Sequence, residues 1–256
     1  MAQTVNIIGA GNVATHLAKA LVDNGYTLKC VMSRKKTDAA KIAKGHGASA
    51  VDSIEDMPQS DVTIIATPDN SVGEIAKALA KNNVKGIVAH TSGATPMEAL
   101  APLTHRGVLY PCMTFSKGDK VDMSLCPFLI EAYDTETLSA LKEIAGKIGN
   151  NAIECDSEGR RRLHLAAVLA SNFTNHLLKL AKDVMEQAGL PFDLLRPLTQ
   201  QTIAKAFALG PFDSQTGPAR RGDTQTIERH RTEIGNNARL KEIYDTLTAS
   251  IRETYN

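Results

Sequence analysis

Short apolar runs alternate with amphipathic stretches through the first half of the chain. Residues 4–8 (TVNII) form a β-branched run of strand type, and Val13, Leu17, Ala18 and Leu21 then recur at helical spacing. Residues 28–32 (LKCVM) predict a second strand. Residues 62–67 (VTIIAT) predict a third, ending in Pro68-Asp69-Asn70 and followed by a helical stretch over 72–80. Residues 86–90 (GIVAH) end in Thr91-Ser92-Gly93, residues 107–110 (GVLY) run into Pro111, and residues 127–132 (PFLIEA) read as the last strand. Strands alternating with helices predict a parallel sheet with helices on both faces.

The pattern changes after about Asn151, where no further strand is convincing. Residues 158–188 are helical in character throughout, with Gly189-Leu190-Pro191 as a stop. Ala166, Leu169, Phe173, Leu177, Leu180 and Val184 form an apolar stripe. The opposite face carries His164, Ser171, Asn175 and Lys182, with Asn172 at its edge. A solvated helix face is commonly a Glu/Lys mixture, whereas His, Ser and Asn among alanines suit a face lining a cleft. A second helix is expected over 192–207, broken by Gly210-Pro211, and a final one over 237–254. Between them, residues 216–231 (TGPARRGDTQTIERHR) gather arginines, an aspartate and a histidine around a Gly-Pro turn.

The first strand and helix meet at GAGNVA, residues 9–14. In a dinucleotide fold Gly9 allows the tight turn, Gly11 lets the backbone approach a pyrophosphate, and Ala14 packs helix on strand. The helix N-terminus then offers free N–H donors and a partial positive charge. Gly9, Ala10, Gly11, Asn12 and Val13 are therefore candidate cofactor contacts. After the second strand, where NAD-binding versions place an acidic residue for the ribose 2′-OH, this chain has Ser33, Arg34, Lys35 and Lys36. A hydroxyl and cations suit a 2′-phosphate, so NADP is favoured over NAD. Ligands on such sheets bind beyond the carboxyl ends of the strands, which brings in Thr67, Pro68, Thr91 and Ser92. Capping and turn chemistry accounts for those residue types equally well.

Composition narrows the classes. The chain has 256 residues, of which 43% are hydrophobic, enough for one large or two small packed domains. A net charge of +1, no Trp and 4% aromatic residues give no basis for nucleic-acid binding. No apolar run approaches a membrane span, and a strand starting so near Met1 leaves no room for a signal peptide. Cys30, Cys112, Cys126 and Cys155 are scattered without metal-ligand spacing, so no metal site and a cytoplasmic, reduced state are expected.

GAGNVATHLAKAL, HTSGATPMEAL and YPCMTFS, with the later LHLAAVLASNF and TGPARRGDTQTIERH, resemble the Rossmann-like NADP oxidoreductases that carry a short all-helical second domain. The resemblance spans nearly the whole chain and is closest to bacterial members of undetermined substrate. More distantly the chain is similar to pyrroline-5-carboxylate reductase, prephenate dehydrogenase and the β-hydroxyacid dehydrogenases. It implies an α/β fold: a Rossmann-type parallel sheet domain (1–153) followed by a smaller all-α domain (154–256) like the C-terminal domain of 6-phosphogluconate dehydrogenase. It further implies hydride transfer between NADP and a small carbonyl or imine substrate in the cleft between domains, and a homodimer formed through the helical domain.

The catalytic lysine of β-hydroxyacid dehydrogenases falls at about His164. The asparagine expected one turn later is Val168 here, and Asn172 follows two turns on. Prephenate dehydrogenases place a catalytic histidine before the proline of a YPCM-like motif, where this chain has Tyr110. His164 is thus the first candidate proton donor, and Tyr110, on the sheet side of the cleft, is the second. Asn172, Ser171 and Asn175 would orient substrate, and Arg220 and His230 would hold a substrate carboxylate. The competing readings are an NADP(H)-binding sensor without turnover and an interaction protein whose glycine motif is only a turn.

Overall fold

The computed structural model describes residues 3–116, 118 and 120–255. Its eight strands are β1 (Thr4–Ile8), β2 (Thr27–Met32), β3 (Ser49–Val51), β4 (Val62–Ile65), β5 (Ile87–His90), β6 (Arg106–Pro111), β7 (Pro127–Ala132) and β8 (Asn151–Glu154). They form one sheet in the order β3-β2-β1-β4-β5-β6-β7-β8. All neighbours are parallel except β6 and β7, so β7 and β8 run against the other six strands. The sheet is therefore Rossmann-like and mostly parallel. The expectation that residues 127–132 are the last strand is corrected by β8. Its mostly exposed sequence (NAIE) lacks the apolar run of a central strand because it pairs on one side only, at the sheet edge. The three-residue β3 at the other edge likewise gives no strand signal in the sequence.

The helices of this part are α1 (Asn12–Asp23), α2 (Lys36–Lys44), α3 (Val72–Lys81), α4 (Thr135–Ile148) and α5 (Ser157–Ala167). Successive side chains along a strand point to opposite faces, and the buried residues divide accordingly. Ile7, Val31, Ile64 and Ala89 join α1, α2 and α4 in one core, while Ile8, Met32, Ile65 and Val88 join α3 in another. Both faces of the sheet are thus covered, which is why β1, β4 and β5 are apolar along most of their length.

After α5 the chain passes through a π-helical turn, Val168–Phe173, into α6 (Thr174–Gln187). There follow α7 (Arg196–Leu209), α8 (Pro211–Ser214), α9 (Pro218–Arg221), α10 (Thr224–Ile234) and α11 (Ala238–Tyr255). The chain divides into two compact units, Met1–Asn172 and Phe173–Asn256, so α5 belongs with the sheet. The expected uninterrupted helix needs correction. A π turn takes in an extra residue, so a single 3.6-residue period does not run unbroken through residues 158–188. The apolar stripe is likewise not a core: Leu169, Phe173, Leu177 and Val184 are exposed.

Candidate functional site

Strands β1, β2, β4, β5 and β6 end at the same edge of the sheet, and the loops after them build the site. Gly9 leaves β1 with φ +124°, a conformation that excludes ordinary side chains, and a Cβ there would lie 2.2 Å from the Ala66 carbonyl oxygen. Its N–H donates to the Met32 carbonyl at the end of β2. Gly11 has φ −85°, and a Cβ added to it would meet nothing within 4 Å, so it faces open space. Gly11 is the N-cap of α1. That helix has no side-chain cap and no acidic residue in its first turn, so its leading N–H groups and dipole are available to an anion. Ala14 is fully buried beneath the turn. The Asn12 amide donates to the Phe115 carbonyl at 3.0 Å, tying the loop after β6 to this corner.

The residues after β2 lie beside the turn. The Ser33 N–H donates to the Val51 carbonyl, and Arg34 is exposed with no hydrogen-bond or ion-pair partner among the described residues. After β4, Thr67 Oγ1 accepts from Ser71 Oγ at 2.8 Å, and the Pro68 carbonyl accepts from the same hydroxyl at 2.7 Å. After β5, the Thr91 hydroxyl donates to the Ile65 carbonyl at 3.3 Å. Ser92 is only 7% exposed. Its hydroxyl donates to Thr95 Oγ1 and accepts from the N–H groups of Ala94 and Thr95, so it is engaged in building the loop.

At the end of β6 two candidates meet. Tyr110 Oη lies 3.3 Å from His164 Nδ1, with the rings edge to face and their centroids 6.1 Å apart. Gly93 makes room for them, since a Cβ there would lie 2.7 Å from His164 Nδ1 and 2.9 Å from Tyr110 Cζ. Burial pushes the Tyr110 phenol up to about 12, helped by the neighbouring Cys112 and Cys126 thiols and the Asp69 carboxylate. It is therefore a protonated donor at neutral pH.

Ser171 and Asn172 lie in the π turn and Asn175 in α6. In the second unit, Arg220 donates to the Tyr255 carbonyl at 2.6 Å and lies over that ring. His230 Nδ1 is 2.9 Å from Tyr244 Oη. Both side chains are thus engaged with α11.

Two residues of the arrangement escape sequence reasoning: Arg160 and Glu131. Arg160 is 1% exposed, pairs with Glu131 of β7, and donates to the Thr95 carbonyl at 2.7 Å and to Ser157 Oγ at 3.1 Å. In the sequence Arg160 sits in the run RRR, which reads as a solvated face. The one available signal is Glu131, a carboxylate inside an apolar strand that has to find a partner. His90 is fully buried, with Nδ1 accepting from the Ser92 N–H; burial, with the Arg160 charge beside it, pushes its pKa down to about 4.

Among the described residues no cluster of three or more His, Cys, Asp or Glu is placed to hold a metal, and no helix is long and apolar enough to cross a membrane. A model of a Rossmann-like domain matches residues 2–114, and a model of a domain of unknown function, DUF2520, matches residues 126–251. The crystal structure of a putative NADP oxidoreductase from Bacteroides fragilis is 36% identical, with 98% of each chain covered and a TM-score of 0.91. A Thermotoga maritima protein is 25% identical over 98% of each chain, with a TM-score of 0.72. A reductive aminase from Aspergillus terreus, solved with NADPH and ethyl-5-oxohexanoate, shares the fold at 14% identity and a TM-score of 0.71, covering 100% of this chain and 97% of its own. No curated protein sequence matches.

Proposed function

This chain belongs to the family of the Bacteroides fragilis protein, with a Rossmann-like domain followed by a DUF2520 domain, and from that premise we propose that it is an NADP(H)-dependent oxidoreductase acting on a small carbonyl or imine compound. The observation that carries the reading is the corner at the strand ends. An open Gly11 before an uncapped helix N-terminus suits a pyrophosphate, and the exposed Arg34 beside it, without a partner among the described residues, suits a 2′-phosphate. The residues present therefore fit the dinucleotide, which when bound supplies the hydride.

The chain's own part is proton delivery. When hydride adds to a carbonyl carbon, the C–O π electrons move to oxygen, and that oxygen must gain a proton. Tyr110 keeps its proton at neutral pH, and an alkoxide is a stronger base than a phenolate, so the Tyr110 O–H donates. His164, in contact with Tyr110 Oη, returns a proton to the phenolate and exchanges it with solvent. Partly exposed His164 is suited to that second role. The four free thiols support a reducing, cytoplasmic setting. The deciding experiment is a fluorescence titration with NADPH and NADH, followed by NADPH oxidation with a panel of oxo acids and cyclic imines. Tight NADPH binding with turnover of a panel member is the expected result; failure to bind either dinucleotide overturns the proposal.

A further inference from the structure

Resting on that reading, we propose that the buried Arg160–Glu131 pair is a positioning device that sets the register of α5 so that His164 meets Tyr110. Three elements converge on it. Glu131 belongs to β7, Ser157 and Arg160 to α5, and Thr95 and Met97 to the segment after β5. Ser157 Oγ donates to Glu131 at 2.7 Å and accepts from the Met97 N–H at 3.0 Å, while the Arg160 fork spans Glu131 and the Thr95 carbonyl.

The distances along the two elements match. Glu131 lies opposite Val108 on β6, and Tyr110 is two residues further along that strand. Two strand residues rise about 6.6 Å. From Arg160 to His164 is four residues on one helical face, a rise of about 6 Å. Pinning Arg160 beside Glu131 therefore brings His164 level with Tyr110, and Gly93 leaves the space in which they touch. A slip of one helical turn, about 5.4 Å, would carry His164 past the phenol.

The chemistry chosen also points to register over stability. A buried ion pair is often no better for stability than apolar residues of the same volume, and its best-attested use is to specify alignment. An apolar side chain would tolerate sliding along the sheet, whereas a planar fork held by a carboxylate and a carbonyl does not.

The test compares Arg160→Met, Arg160→Lys and the near-isosteric Glu131→Gln with wild type. The readout is the ¹⁵N shift of the His164 ring nitrogens, assigned with a His164→Gln variant. Loss of the His164 contact in Arg160→Met and Glu131→Gln, matching the spectrum of Tyr110→Phe, with partial recovery in Arg160→Lys, is expected. A wild-type His164 signal in folded variants overturns the proposal, and Glu131→Gln decides if Arg160→Met does not fold. NADPH affinity is expected to stay within about twofold of wild type. With a substrate in hand, kcat is expected to fall at constant KM by no more than it does in His164→Ala, because the pair acts only through His164. The ring signal needs no cofactor or substrate, so failure of the oxidoreductase reading and failure of this one are separable.

Discussion

Gly9 and Gly11 stand two residues apart and obey different constraints. At Gly9 both the positive φ and the nearby Ala66 carbonyl oppose any side chain, so Gly9→Ala is expected to destabilise the fold by about 1–3 kcal/mol or more in urea unfolding. At Gly11 the backbone is ordinary and the space is open, so Gly11→Val is expected to fold with an unchanged Tm and lose NADPH binding in a titration. Arg34 bears on the choice of dinucleotide. A charge-assisted hydrogen bond is worth about 1.5–3 kcal/mol, so Arg34→Asp is expected to weaken NADPH by about tenfold or more and leave NADH nearly unchanged. Equal losses for the two would show that Arg34 does not read the phosphate. General acid catalysis contributes about 10²–10⁴-fold, and Tyr110→Phe is expected to lower turnover by that factor without changing NADPH affinity. Turnover in His164→Ala is expected to fall less, because solvent can recharge the phenolate. The glycine motif and the basic turn are legible in sequence because each depends on neighbours within a few residues. The Tyr110–His164 contact is not, since 54 positions separate its partners.

At the scale of elements, the end of β5 carries a pH dependence. His90 binds its proton more weakly in the folded chain, about 4 against an ordinary 6.5, because charging it would bury a cation beside Arg160. The unfolded state therefore takes up more protons between these values, and stability falls as pH drops from 6.5 towards 4. The loss amounts to up to about 3 kcal/mol at about 1.36 kcal/mol per unit. Urea unfolding from about pH 7 to 4 measures it, and a His90→Gln variant is expected to show a shallower slope over that window. An unchanged slope would place the acid sensitivity elsewhere. The strands that alternate with helices are legible from periodicity because the sheet buries both faces. Edge strands β3 and β8 are not, since one-sided pairing leaves no apolar run. The π turn is invisible for a related reason: it changes one hydrogen-bond step while its residues, VLASNF, look no different from those of the helices around them.

For the whole molecule, the second unit lacks a buried core of its own. Among the described residues of 173–256 the buried ones are Ala219, Ile227 and Thr248, while Leu194, Leu198 and Phe207 are exposed, Phe207 at 90%. Exposed apolar surface of this kind is characteristic of association faces, and a sedimentation experiment tests the proposed homodimer through this unit, with a dimer as the expected outcome. Phe207→Glu is expected to yield monomer; a monomeric wild type would refute the dimer. The sequence by itself determined the alternation of strands and helices, the glycine turn with its basic neighbour, and the change to an all-helical C-terminal region. Each of these is written in local periodicity or in residues that touch within one turn. Only the tertiary structure decided that Arg160 is buried against Glu131, that Gly93 is the gap in which Tyr110 meets His164, and that Ser92 serves its own loop. The first two depend on which strands lie side by side, and residues far apart in the chain acquire partners only when the sheet assembles. The third depends on the path of the loop after β5, which turns the Ser92 hydroxyl back onto its own backbone.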